Sequence, residues 1–370
     1  MCSKPLIIMY DQIREDTVFI MLYAVVTAMT AIAGFYLLFR RGNAFAPDIT
    51  PPVRLRRWTA AFLAVSALAH VWYMPIFFLS SNEDILLCDL IGGLLDSMTC
   101  FPLAMVVLFT MLQDRRRPLW PIAVLFAPLI AGMVWSVATR SEALLPVLFA
   151  YFALVCLGLI VYMACAVRQY GRWLRDNYAD LEHKEVWQSF VVLAVMLLLF
   201  VFYSLTGEGP FYVYVLLVIS AVLVCYLLWR VETLSDLSTP IQSDAAIAVD
   251  DYSLSIRNNI GSLLKQHCEE TQLYLQHDIT LSQLAKLVGT NRSYLSKHFA
   301  AQGITYNAYI NALRIQHFVN LCHERVAAHQ SLPVQQMALE SGFRSYSTFY
   351  TAFKQVMGTT ATEWMRNIAE

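Results

Sequence analysis

Residues Thr17 to Phe39 read TVFIMLYAVVTAMTAIAGFYLLF, twenty-three residues without one charged side chain. A helix needs about 20 apolar residues to cross the ~30 Å of hydrocarbon in a bilayer. This run meets that length and carries no polar stripe for water, so it reads as a span. The residues before it are mixed in charge, and no small-residue cleavage site follows a short apolar core, so it does not read as a removable leader.

Working outward, six more runs have the same character: Trp58–Leu79, Leu90–Leu112, Leu119–Ala138, Leu144–Val167, Val186–Leu205 and Phe211–Trp229. The composition agrees. Hydrophobic residues make up 58% of the 370 and charged residues only 14%, against about 45–50% and about 25% in soluble domains. The eight cysteines are scattered, and those inside the apolar runs read as small buried hydrophobes. Seven spans place the two ends of the bundle on opposite sides of a membrane. The loops choose the sides. The first, third and fifth carry Arg40, Arg41, Arg54, Arg56, Arg57, Arg115, Arg116, Arg117, Arg168, Arg172, Arg175 and Lys184, and the alternate loops carry only Arg140. Basic loops stay in the cytoplasm, so the expectation is an external N-terminus and a cytoplasmic C-terminus in a bacterial inner membrane.

After Arg230 the composition changes. Arg230 to Leu237 can prolong the last helix until Ser238-Thr239-Pro240 breaks it, because proline lacks the backbone N–H. Ile241 to Asp251 reads as a short polar linker. From Leu254 the apolar period is helical, with Ile256, Ile260, Leu263, Leu264 and His267 on one face. The domain expectation is a transmembrane part over 1–230, a linker over 231–253 and a further domain over 254–370. About 25 flexible residues reach roughly 27 Å, which keeps that last domain near the membrane surface.

Within it a pattern occurs twice. Thr280 to Gly289 (TLSQLAKLVG) opens with a capping box of Thr280 and Gln283, puts Leu281, Leu284 and Leu287 or Val288 on its apolar face, and ends on Gly289. A second helix begins near Asn291 (RSYLSKHFAAQG), with Leu295 and Phe299 inward. A long helix follows over about Tyr306 to Glu324. Pro333 to Glu340 then forms a short helix, Ser341-Gly342-Phe343 a turn, and Ser345 to Val356 (SYSTFYTAFKQV) a last helix with Phe349 and Phe353 inward. The fold class expected is therefore all-α: a bundle of about seven transmembrane helices followed by two helix-turn-helix units joined by a long linker helix.

The segment GFRSYSTFYTAFKQVMGTTATEW, with YLSKHF and YINALRI before it, resembles the C-terminal signature of the arabinose-regulator (AraC/XylS) family, over about Ile260 to Arg366. The resemblance implies a transcription regulator that places each second helix in a major groove of double-stranded DNA. This chain departs from the family pattern at Ala361 (usually Pro), Met365 (usually Arg) and Phe318 (usually small), which points to altered packing at the C-terminal cap and the linker helix. The outward residues of the first recognition helix are Arg292, Ser293, Ser296 and Lys297, and those of the second are Tyr346, Ser347, Thr348 and Thr351. These positions match the base-contacting positions of the family. Lysine donates to guanine, and serine and threonine hydroxyls donate or accept. Arg344 and Lys354 are better placed for phosphates. Between Thr280 and Gly358 seven basic residues (Lys286, Arg292, Lys297, Arg314, Arg325, Arg344 and Lys354) face two acids, Glu324 and Glu340, a moderate positive footprint.

Other signals carry less. Asn291-Arg292-Ser293 matches a glycosylation sequon but falls in the cytoplasmic half. Gly207-Glu208-Gly209-Pro210 reads as an outer turn. His183 (LEHKE) reads as a surface histidine, since no nucleotide-binding motif accompanies it as a phospho-acceptor would need, and His267, His298, His317 and His323 lack partners at metal-ligand spacing. No catalytic group, metal or cofactor is assigned, and no enzymatic activity is expected. Asp89 reads as interfacial. Inside the membrane, His70 and Asp96 form a candidate sensor pair. Successive spans are usually neighbours, and the two residues differ in depth by roughly 4–5 Å, so a hydrogen bond between them is expected, with Pro75 as a nearby bend. Three readings of the whole chain follow. One is a one-component sensor of a small-molecule or envelope signal. Another is a DNA-binding protein that its spans only anchor. The third is a transporter or channel with a regulatory tail, disfavoured by the lack of internal repeats. A homodimer is left open.

Overall fold

The computed structural model describes residues 15–40, 43–47, 49–79, 81–206, 210–237 and 260–369. The linker stretch Ile241 to Asp251, the break at Ser238-Thr239-Pro240, the glycine turn Gly207–Gly209 and Ile256 lie outside them. Among the described residues the structure is helical and contains no strand, with one isolated β-bridge between Tyr178 and Thr280. The chain divides into two compact units. One takes in Met1–Tyr170 and Val186–Ser238, and the other takes in Gly171–Glu185 and Thr239–Glu370.

The first unit is the apolar bundle: α1 (Thr17–Phe39), α2 (Val53–Tyr73), α3 (Asn82–Met98), α4 (Cys100–Met111), α5 (Trp120–Thr139), most of α6 (Leu145–Arg175), α7 (Trp187–Thr206) and α8 (Pro210–Thr233). Six stretches are long and apolar enough to cross a membrane, and within α7 the stretch Trp187–Phe202 is a shorter apolar helix. α1 packs along α2 and α8, α2 along α4, α3 along α5, and α7 along α8.

Two expected spans have a different local form. The third is broken at Thr99, whose backbone leaves the helical region with φ −128 and ψ −68. Pro102 explains the break, since its ring crowds the carbonyl four residues earlier, that of Met98, and it has no N–H to return. In the second, the helix ends at Tyr73, and Pro75 sits at the start of a 3₁₀ turn, Met74–Phe77. Pro75 is thus a terminator rather than a bend within a continuous helix.

At the end of the bundle where α8 stops, the loops are tied to one another. Asn43 Nδ2 donates to the Glu232 carbonyl at 2.6 Å, and Glu232 Oε2 accepts from the Ala44 N–H at 2.9 Å. Gln113 accepts from the Leu237 N–H and donates to the Ser235 carbonyl, while the Asp236 N–H donates to Thr50. These bonds take up the backbone of 235–237, which is why α8 ends at Thr233 instead of running on to Leu237. Arg117, one of the basic loop residues, is buried and doubly bonded to Asp114 at 2.9 and 3.2 Å.

The second unit begins with a helical turn at residue 260 that widens into a π-helical segment, Lys265–Glu269, and a 3₁₀ turn, Leu273–Leu275. The buried face is Ile260, Leu264 and Cys268, so the position read as His267 belongs to Cys268. Then come α9 (Leu281–Leu287), α10 (Arg292–Ala301), α11 (Tyr306–Ala327), α12 (Val334–Glu340), α13 (Tyr346–Met357) and α14 (Ala361–Ala369).

Candidate nucleic-acid interface

Four of these helices are started by a side chain that satisfies otherwise orphaned backbone donors, while α12 follows Pro333 without a side-chain cap. Thr280 accepts from the Gln283 N–H, and Gln283 accepts from the Thr280 N–H at 2.8 Å, closing the capping box ahead of α9. Asn291 caps α10 through the Tyr294 N–H, Thr305 caps α11 through Ala308, and Ser345 caps α13 through Thr348. The turns need left-handed backbone at Gly289 (φ 77) and Gly342 (φ 88). At Gly342 a Cβ would also lie 2.7 Å from the Leu275 Cα, so only glycine fits there.

Two cores hold the recognition helices. In the first, Leu281, Leu284, Ala285 and Val288 of the α9 region meet Leu295 and Phe299 of α10 and Tyr306 and Ile310 of α11. Of the two residues left open by the sequence, Val288 is buried and Leu287 is exposed. In the second core, Phe318 is fully buried, with its ring tilted against Phe349 at 4.5 Å and edge-on to Phe353 at 5.7 Å. The large residue in the linker helix is thus accommodated by an aromatic cluster. α14 forms without the family's proline: Ala361 is buried in this core and Met365 packs against it.

Lys297, Ser293, Ser347, Thr351 and Lys354 are exposed, and Arg292, Ser296, Arg344, Tyr346 and Thr348 are half-buried. Several of these ten are partly committed: Arg344 is ion-paired with Asp180 and Asp278 at 3.6 and 3.4 Å, and the Thr351 hydroxyl donates to the Ser347 carbonyl at 3.1 Å. The Thr348 hydroxyl donates to the Ser345 carbonyl at 2.8 Å as part of the cap, and Tyr346 lies against the Phe349 ring at 5.8 Å. The outward faces also carry Tyr294 and Tyr350, about two-fifths exposed.

The positive footprint is smaller than the count of basic residues suggests. Arg325 pairs with Glu340 at 3.0 Å. Arg314 is buried, and its guanidinium donates to the Tyr274 carbonyl at 2.8 Å, to Gln276 at 2.8 Å and to His277 at 3.3 Å, while lying over the Phe343 ring. Burial pulls its pKa down to about 10. Arg314 therefore joins the segment before the first motif to the turn of the second, and His277 adds a bond from Nδ1 to the Gly342 carbonyl at 3.1 Å. Nothing in the spacing of the sequence separates such a staple from a surface arginine.

In the bundle, the candidate sensor residues do not bond to each other. His70 Nδ1 faces the Ser66 carbonyl of its own helix at 2.7 Å, and the His70 carbonyl accepts from Tyr23. Asp96 accepts instead from the Tyr73 hydroxyl at 3.1 Å. Tyr73 reaches it because Gly92 has no side chain: a Cβ there would collide with the Tyr73 ring. The partner expected at residue 70 thus stands three residues along the same helix. His70, Ser66 and Cys100 line an apolar cavity of about 670 Å³. Among the described residues no group of three or more His, Cys, Asp or Glu is arranged to hold a metal.

A family model described as a helix-turn-helix domain matches residues 284–367. A Staphylococcus aureus protein named "Uncharacterized HTH-type transcriptional regulator" is 28% identical over 102 residues, which is 27% of this chain and 13% of that protein. The TCP pilus virulence regulatory protein of Vibrio cholerae is 28% identical over 117 residues, 30% of this chain and 39% of that protein. The chain thus spans well under half the length of these relatives, and no solved structure matches it. The matched residues contain the second helix-turn-helix whole and most of the first, and with the caps and cores above they identify the C-terminal part of the chain as an AraC-type helix-turn-helix domain of the transcription-regulator class.

Proposed function

We propose that the chain is a membrane-bound one-component transcription regulator of a bacterial inner membrane, with its N-terminus outside and its DNA-binding domain in the cytoplasm. The observation that carries this reading is the presence, in one chain, of an AraC-type domain and six stretches long and apolar enough to cross a membrane. The bias of loop arginines supports the orientation. In this reading α10 and α13 enter successive major grooves. Arg292, Ser293, Ser296, Lys297, Tyr346, Ser347, Thr348 and Thr351 face bases, and Arg344 and Lys354 face phosphates. The domain limits are 1–230, 231–253 and 254–370, with the segment 171–185 contributing to the DNA-binding side.

The cavity beside His70 favours sensing over anchoring. It is of ligand size and almost wholly apolar, and a single span suffices for an anchor. The ligand expected is a lipophilic molecule, with Tyr73 and Asp96 close enough to His70 to respond to it. Reporter fusions after Asp236 and after Asn82 test the orientation: a cytoplasmic signal from the first and an external signal from the second are expected. A periplasmic C-terminus contradicts the whole reading. Deletion of the first six spans without loss of regulation would leave anchoring as their role.

A further inference from the structure

The second unit contains a segment far from the rest of it in sequence, the stretch Gly171–Glu185, which comprises the last turn of α6 and most of the connection to α7. It lies along the entry to α9. The Leu281 N–H donates to the Asn177 carbonyl at 3.0 Å, and the Ala179 N–H to the Ile279 carbonyl at 3.4 Å. Asn307 of α11 donates to the Ala179 carbonyl at 2.6 Å. Ala179 is buried in the core of the first helix-turn-helix. The next residue, Asp180, is 5% exposed. Its Oδ1 accepts from the Glu182 N–H at 3.0 Å, and its Oδ2 lies 3.6 Å from both Lys184 Nζ and Arg344. Asp278 completes the group, at 3.4 Å from Arg344 and 3.7 Å from Lys184. Arg344 stands just before Ser345, the N-cap of α13, and is the residue assigned above to a DNA phosphate.

We propose that this segment is an autoinhibitory strap, in which the carboxylates of Asp180 and Asp278 hold Arg344 where a DNA phosphate would otherwise take it. The inference rests on the DNA-binding reading. A carboxylate offers the guanidinium the same oxygen acceptors and negative charge as a phosphate, so strap and DNA compete for one side chain. Asp176 is acted on electrostatically by Arg175 and Arg172 and, after them, by Arg292 at the start of α10. The ends of the strap continue into α6 and α7, giving the bundle a covalent route to Arg344.

The test uses the full chain in nanodiscs and a mixed-sequence duplex, with binding measured across a salt titration. Asp180→Asn keeps the acceptor for the Glu182 N–H and removes the charge. It should tighten binding about two- to five-fold, the scale of one partly exposed ion pair. It should also steepen the log–log salt slope by about 0.9, one further phosphate contact. In an Arg344→Gln background the same change should have no effect. Asp278→Asn, at a carboxylate 65% exposed, reads the same quantity without touching the core and should steepen the slope in the same sense. An unchanged slope in both variants, or equal tightening with and without Arg344, overturns the strap. If neither the wild type nor either variant binds the duplex, the DNA-binding reading is overturned and the strap with it.

Discussion

The two helix-turn-helix units share one plan and are stabilised differently. The first is mainly aliphatic, built on Leu281, Leu284, Val288 and Leu295, and its core is completed by Ala179 from between two apolar helices. The second is aromatic, built on Phe318, Phe343, Phe349 and Phe353 with Trp364 against them, and it draws every described residue of its core from 315–368. A core that closes on itself responds to its own sequence. A core that borrows a distant segment also responds to whatever moves that segment. On the proposed reading, the first helix-turn-helix is where events in the bundle can reach DNA binding, and the second is the more independent of the two.

The largest expected effect breaks the second unit alone. Phe349→Ala removes a fully buried ring from the aromatic cluster and should cost about 3–5 kcal/mol. Hydrogen exchange should report the loss at α12 and α13 before α9 and α10, and equal loss in both units would erase the contrast. Next is the staple between them. Arg314→Met leaves the carbonyls of Tyr274 and Gln276 without their charged donor and should cost about 3 kcal/mol, seen as two separated thermal transitions where the wild type shows one. On DNA, Lys297→Ala should cost about 1–3 kcal/mol at one half of the site, and Thr351→Ala less at the other half. Binding-site selection reads both, and a change spread evenly over the site would contradict the assignment. The smallest effect sharpens the borrowed core: Asn307→Ala removes the 2.6 Å bond to Ala179 and should cost about 1 kcal/mol. The Ala179 and Leu281 amides should then exchange faster while the amides of α13 stay unchanged.

Much of this architecture is legible in the sequence, because the period of apolar residues and the caps are local. Thr280 with Gln283, Ser345 ahead of α13, and the inward pairs Leu295–Phe299 and Phe349–Phe353 could all be read directly. The break at Thr99 was within reach of the same reasoning, since Pro102 forces it. What escaped was long-range. Arg314 is identical in sequence to a surface arginine, and its burial depends on carbonyls about 40 residues earlier. Lys184 reads as part of a basic loop at the membrane, because nothing local records that the loop packs with the first helix-turn-helix. The choice of Tyr73 over His70 as the partner of Asp96 follows from the space that Gly92 leaves.

The most direct test of the central claim is a footprint of the full-length protein in membranes on its own target DNA, located by genome-wide mapping. The account predicts protection of two neighbouring major-groove segments about one 10-bp turn apart, with affinity falling steeply as salt rises. Protection of a single segment, or binding indifferent to salt, would contradict it.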